Sequence, residues 1–158
     1  MLHSSERICL SVFLGATLWT DFRLNGNRVL AEVAAQTGMT DFRRIRVTPS
    51  YRRFRPTDAR RFHAQSLEWL GQQVENARGK KVVVVTHHAP SPQSIPLQFR
   101  NDPLNPAYAS NLERFVAECG ATLWIHGHIH HRPNLVIGTT RVVANSRGYP
   151  TEPHTGFD

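Results

Sequence analysis

Six of the nine histidines in this chain lie in two short segments, and imidazole serves both metal binding and proton transfer. One segment is Trp124-Ile125-His126-Gly127-His128-Ile129-His130-His131, with four imidazoles in six positions. The other is Val84-Val85-Thr86-His87-His88-Ala89-Pro90. In an extended backbone, residues two apart project to the same side, so His128 and His130 can converge on one point. Gly127 permits a sharp turn, or a close approach with no Cβ in the way. A surface loop merely rich in histidine is the plainer reading of the first segment. The second segment weighs against it.

Both segments follow apolar runs that read as strands, Lys81 to Thr86 and Ala121 to Ile125. Consecutive valines without polar alternation suggest a strand covered on both faces. Pro90 ends the first run, because proline cannot donate to a ladder and restrains the residue before it. Histidines at the carboxyl ends of buried strands stand where open α/β sheets place their ligands. If the two strands are neighbours, both clusters share one edge of the sheet.

These residues resemble a known family. Val-Val-Thr-His87-His88-Ala-Pro, followed some forty residues later by Gly127-His128-Ile129-His130, is similar to the last two signature blocks of the calcineurin-like metallophosphoesterases. Gly15-Ala16-Thr17-Leu18-Trp19-Thr20-Asp21-Phe22, Asp41-Phe42-Arg43-Arg44-Ile45-Arg46 and Asn145-Ser146-Arg147-Gly148-Tyr149 resemble a bacterial-type branch of it. The resemblance implies an α/β fold in which a mixed β-sheet sandwich is flanked by helices. It also implies a dinuclear centre of manganese, iron, zinc or nickel, with His87, His128 and His130 as ligands. His88 and His126 fall outside the ligand pattern and are expected either to serve a plain structural role or to hydrogen-bond a ligand or a phosphate. His131 reads as solvated, and His3, His63 and His154 as isolated.

The family's first three blocks, Asp-x-His, Gly-Asp-x-x-Asp and Gly-Asn-His-Glu or -Asp, are not found; Gly26-Asn27-Arg28 has arginine where the third has histidine. The resemblance therefore implies one metallophosphoesterase domain over residues 1–158, incomplete at its amino terminus, and no residue here matches the family's proton donor. A two-metal hydrolase polarises a phosphoryl oxygen and activates water with ions about 3.5–4 Å apart. Two dications that close need anionic ligands, and imidazoles are neutral. With no carboxylate beside either cluster in the sequence, at most one divalent ion is expected in this chain alone. Three nitrogens and an open position would match the ligand count of a catalytic zinc site.

The elements that must position these residues read as an alternation of strands and helices. Ile8 to Leu18 forms one strand or two short ones. Arg28 to Thr37 is a helix, capped by Asn27 and stopped by Gly38. Thr57 to Arg78 is a second helix with Phe62, Ser66, Leu70 and Val74 on one face, and Gly79 stops it. Pro106 to Cys119 is a third helix. Leu135 to Ile137 and Arg141 to Ala144 flank Gly138-Thr139-Thr140 as a hairpin. Pro90 to Pro106 carries five prolines and no periodicity, and is a long loop beside His87 that serves as a substrate lid or as a plain connector.

The net charge of +7 is concentrated in eight arginines between Arg43 and Arg61. Such a patch could attract phosphorylated substrates or nucleic acid. The stretch has no recognised nucleic-acid motif, so the nucleic-acid reading is the less favoured. No apolar run of membrane-spanning length occurs. Two isolated cysteines, Cys9 and Cys119, make a reducing, cytoplasmic setting the default. Three functional classes follow. The leading one is metal-dependent hydrolysis of a phosphorylated small molecule or phosphodiester. The others are an inactive remnant that binds a partner, and a basic nucleic-acid-binding module.

Overall fold

Burial along the four valines decides how their strand is covered. In the computed structural model of the chain, which describes residues 11–152, Val82 and Val84 are buried while Val85 is 39 % exposed. The strand β4 (Lys81–Thr86) therefore has one covered face, not the two that its continuous apolar run suggests. Ile8 to Leu10, Cys9, His3 and His154 lie outside the described residues.

The main sheet places β1 (Ser11–Ala16), β4, β5 (Leu123–His126), β7 (Thr140–Ala144) and β6 (Asn134–Ile137) side by side in that order. The first three contacts are parallel and the β6–β7 hairpin is antiparallel, so the sheet is mixed. Between β1 and β4 the chain forms α1 (Arg28–Gly38), α2 (Asp41–Arg44), a small ribbon of β2 (Arg46–Val47) and β3 (Arg52–Arg53), and α3 (Pro56–Asn76). As expected, the Asn27 side chain caps α1, accepting from the Leu30 N–H at 3.1 Å.

The covered face is buried by α3 and by the segment after the long loop. Leu14, Val82, Val84, Trp124 and Val142 of the sheet pack with Leu70, Val74 and Val116. Along α3 the buried residues are Pro56, Asp58, Ala59, His63, Leu70 and Val74, while Phe62 stays 37 % exposed. The expected helix from Pro106 to Cys119 is instead two short ones, α4 (Asn105–Tyr108) and α5 (Glu113–Glu118). The break has a cause in backbone pairing: Ala109 bridges Ala89, and the Ser110 and Leu112 N–H groups donate to the carbonyls of Ala89 and Pro90. Those bonds compete with a continuous helical ladder. The opposite sheet face is open, with Phe13 and Val136 at 70 % and 73 % exposure.

A second core lies under α1, α2 and the ribbon, where Phe42 and Phe54 stack at 5.7 Å between ring centres. Much of the arginine-rich segment braces it. Arg52 grips Asp58 through two hydrogen bonds at 2.6 and 2.7 Å, which holds that carboxyl below the usual range. Arg60 pairs with Glu32 at 2.8 Å, and Arg46 donates to the carbonyls of Arg43, Arg44 and Ile45. Among the described residues, no helix is long and apolar enough to cross a membrane.

One-sided cover predicts an asymmetry between adjacent valines. Val84→Ala should cost about 2 kcal/mol, because it empties a packed site. Val85→Ala should change stability by no more than about 0.5 kcal/mol. Urea unfolding of the two variants checks this, and equal losses would mean the open face is covered.

Candidate metal centre

The geometry begins with the pairing of β4 and β5, which sets Val85 opposite Ile125. One more backbone bond extends the pairing beyond the strands: the Gly127 N–H donates to the His87 carbonyl at 3.1 Å. The His87 and His128 rings consequently lie 4.8 Å apart, centre to centre. His88 is 4.7 Å from His128, and Tyr108 meets His128 edge-on at 4.9 Å. A hydrogen-bond chain ties this turn to the core. The Trp124 indole donates to the Thr86 hydroxyl, and that hydroxyl donates to the His88 carbonyl, both at 2.9 Å.

Beyond Gly127 the backbone turns tightly, with the Ile129 N–H on the Gly127 carbonyl at 2.7 Å. The left-handed residue is His128, at φ 62°, and not Gly127. A Cβ on Gly127 would meet His87 atoms only at ordinary contact, 3.6 and 3.7 Å. The turn therefore places its strain, about 1–3 kcal/mol for a non-glycine residue, on a histidine. That histidine is also electrostatically unusual. Burial, reinforced by the neighbouring His87, His130 and His126, lowers the His128 pKa to about 4. Its Nε2 is buried with no hydrogen-bond partner among the described residues.

The other imidazoles take distinct roles. Burial also lowers the His87 pKa, opposed by the Asp41 carboxylate and aided by His130. His88 is buried, its pKa held well below the usual value mainly by burial, and its Nδ1 donates to the Thr17 carbonyl at 3.1 Å. His126 has both nitrogens engaged: Nδ1 with the Gly127 carbonyl at 3.0 Å and Nε2 with the Ser94 hydroxyl at 2.9 Å. It fastens the long loop to β5. His63, which reads as isolated in sequence, is buried with Nδ1 on the Leu18 carbonyl at 3.1 Å. His130 has its Nδ1 on the Glu152 carboxylate at 2.6 Å.

A pocket of about 600 Å³ opens on this edge, lined by Ile95, Phe99, Asp102, Tyr108, His128 and Tyr149 among others. The loop from Pro90 to Pro106 thus supplies a wall of it, anchored by the Ser94–His126 bond and by the Asn105 amide on the Phe99 carbonyl at 2.6 Å. A separate cavity of about 480 Å³ lies by β1 and α3 and has no histidine in its lining.

Comparison with family models finds a match to the calcineurin-like phosphoesterases (Metallophos) over residues 9–132. The chain belongs to that family. No curated protein and no solved structure matches it. A calcineurin-like phosphoesterase generally depends on two metal ions, so the donors here can be tested against that need.

Their chemistry suits one ion. The His128 Nε2 is buried beside His87 with no hydrogen-bond partner among the described residues, and an unsatisfied buried polar atom costs about 1–3 kcal/mol that an ion held by its lone pair would relieve. Among the described residues no carboxylate joins the His87–His128 pair to bridge a second ion. The expected convergence of three imidazoles is also not preassembled. Among the described residues, no group of three or more His, Cys, Asp or Glu is placed to hold a metal. His87 and His128 come together, whereas His130 has its Nδ1 bonded to Glu152.

The expectation that no carboxylate lies near the clusters needs correction. Glu152 bonds His130, and Asp41 acts electrostatically on His87 and Tyr108. Both residues are distant in sequence from the histidines they influence, so spacing could not reveal them. Tyr108 also lines the site, which its place at the start of the expected Pro106–Cys119 helix does not reveal. Burial and nearby carboxylates raise its pKa, so the phenol stays protonated and able to donate.

The depressed imidazoles fix a pH dependence for the metal-free protein. An unfolded histidine takes up its proton near pH 6.5, whereas folded His128 does so only near pH 4. The folded state binds fewer protons in that window, so stability is complete above pH 6.5 and falls as the pH drops toward 4. The loss from His128 is on the order of 3 kcal/mol at full protonation. The urea midpoint should therefore fall steadily between pH 7 and pH 4.5. A flat profile would mean the ring is solvated.

Proposed function

We propose that this chain acts in metal-dependent hydrolysis of phosphoric esters, using His87 and His128, with His130 beside them, to hold one divalent ion. The single observation that carries the reading is the buried, neutral, partnerless Nε2 of His128 at the carboxyl edge of the sheet. Family membership supports the reaction class. When bound, a divalent ion supplies Lewis-acid polarisation of the phosphoryl oxygen. The chain's own residues do the rest. Thr86 and the Gly127–His87 bond fix the turn that presents the imidazoles. Tyr108, protonated and in contact with the His128 ring, can donate a hydrogen bond to a phosphoryl oxygen. Ile95, Phe99 and Tyr149 give the pocket apolar and aromatic walls for the organic part of a phosphorylated small molecule or phosphodiester.

A second reading, an inactive protein that keeps the fold, is favoured by the lack of a preassembled three-donor cluster among the described residues. The nucleic-acid reading is weakened by the arginines already committed to Asp58, Glu32 and backbone carbonyls.

Purified chain should hydrolyse a generic phosphomonoester or phosphodiester in the presence of manganese, nickel or zinc, and elemental analysis should find no more than one ion per chain. His128→Ala should lower turnover about 100-fold or more, at least the upper end of what losing a supporting partner of a ligand costs. Turnover unaffected by that substitution refutes the assignment. No metal-dependent turnover at all selects the inactive reading.

A further inference from the structure

The family match ends at residue 132, yet the chain beyond the β6–β7 hairpin returns to the pocket. Glu152 reaches His130 there. Its Oε2 accepts from the His130 Nδ1 at 2.6 Å and from the Tyr149 backbone N–H at 2.9 Å. The Glu152 N–H donates back to the Tyr149 carbonyl at 3.0 Å, closing a tight turn. The Tyr149 ring packs edge-on against His130 at 4.9 Å, so the imidazole is held on two sides. All three residues line the pocket that contains His128 and Tyr108.

A carboxylate can only accept hydrogen bonds, so the shared proton of a neutral His130 must sit on Nδ1. Nε2 is then the bare lone pair. In water a neutral histidine prefers the opposite tautomer, with its proton on Nε2, which would block that nitrogen as a donor to an ion. Carboxylate support of this kind orients an imidazole and makes its free nitrogen more basic.

We propose that Glu152 is a positioning residue that locks His130 in the Nδ1–H tautomer and keeps Nε2 available to a divalent cation. Tyr149 supports it by fixing both the ring and the carboxylate. The proposal rests on the reading of His130 as a donor to the site's ion, and it makes the segment from Tyr149 to Glu152 part of that site.

Long-range proton–nitrogen NMR of the metal-free, ¹⁵N-labelled chain at alkaline pH reads the tautomer directly, with His130→Gln assigning the signals. Wild type should show Nδ1–H. Glu152→Ala should move His130 toward Nε2–H, and Glu152→Gln, whose amide oxygen can accept the same bond, should retain Nδ1–H. Zinc titration in parallel should show affinity reduced about 10–100-fold in Glu152→Ala and less in Glu152→Gln. A His130 tautomer unchanged by Glu152→Ala overturns the positioning role, whatever the zinc affinity. A tautomer that shifts while zinc affinity stays constant in both Glu152→Ala and His130→Ala overturns the reading of His130 as a donor, and the proposal with it.

Discussion

Parallel pairing of β4 with β5 is the constraint on which the site depends. It sets two strand ends in register and extends past them through the Gly127 N–H on the His87 carbonyl. Side chains leaving two such ends have little choice but to meet, and His87 and His128 do so at 4.8 Å. The register is itself enforced from the core. Trp124 is fully buried and its indole N–H needs an acceptor, which Thr86 provides across the strand pair. Thr86 then spends its own proton on the His88 carbonyl. A polar requirement of the core is thus converted into the position of a backbone turn at the surface.

The same economy governs charge. A net positive chain with a run of arginines invites an interpretation in terms of acidic partners. In the folded chain Asp58 anchors the ribbon to the start of α3 by taking the Arg52 fork and the Arg55 N–H, and Glu32 holds Arg60 against α1. These pairs are worth little where exposed and act mainly as geometric ties between elements that already share an apolar core. Arginine content alone therefore says little about binding.

How far the sequence was legible follows from the range of the forces involved. The cap at Asn27, the stop of α3 before Gly79 and the hairpin at Gly138 are decided within a few residues, and each could be read directly. Family kinship was legible for a similar reason, because its blocks are short and local. The strand at Lys81–Thr86 could be read as a strand but not as one-sided, since only the neighbouring layers determine cover. The helix expected from Pro106 to Cys119 failed because a distant segment, Ala89-Pro90, offered its carbonyls to Ser110 and Leu112. Of the candidate site, the proximity of His87 and His128 was legible. The carboxylates were not, because Asp41 and Glu152 reach their histidines only through the fold.

The placement of those carboxylates bears on what the centre can be. A carboxylate inserted between His87 and His128 would give the ion an anionic ligand, yet in the ion's absence it would draw protons onto both rings and close the lone pairs. Here the negative charges stand at the periphery: Glu152 on the far nitrogen of His130, and Asp41 acting on His87 without joining the pair. The central imidazole is left neutral by burial and without a partner. On the reading proposed for this site, such an arrangement would favour capture of a cation by neutral nitrogens, with charge supplied from behind them. Burial and not a counter-ion is what keeps the His128 donor open, so the chemistry of this edge rests on the same exclusion of water that packs the core beneath it.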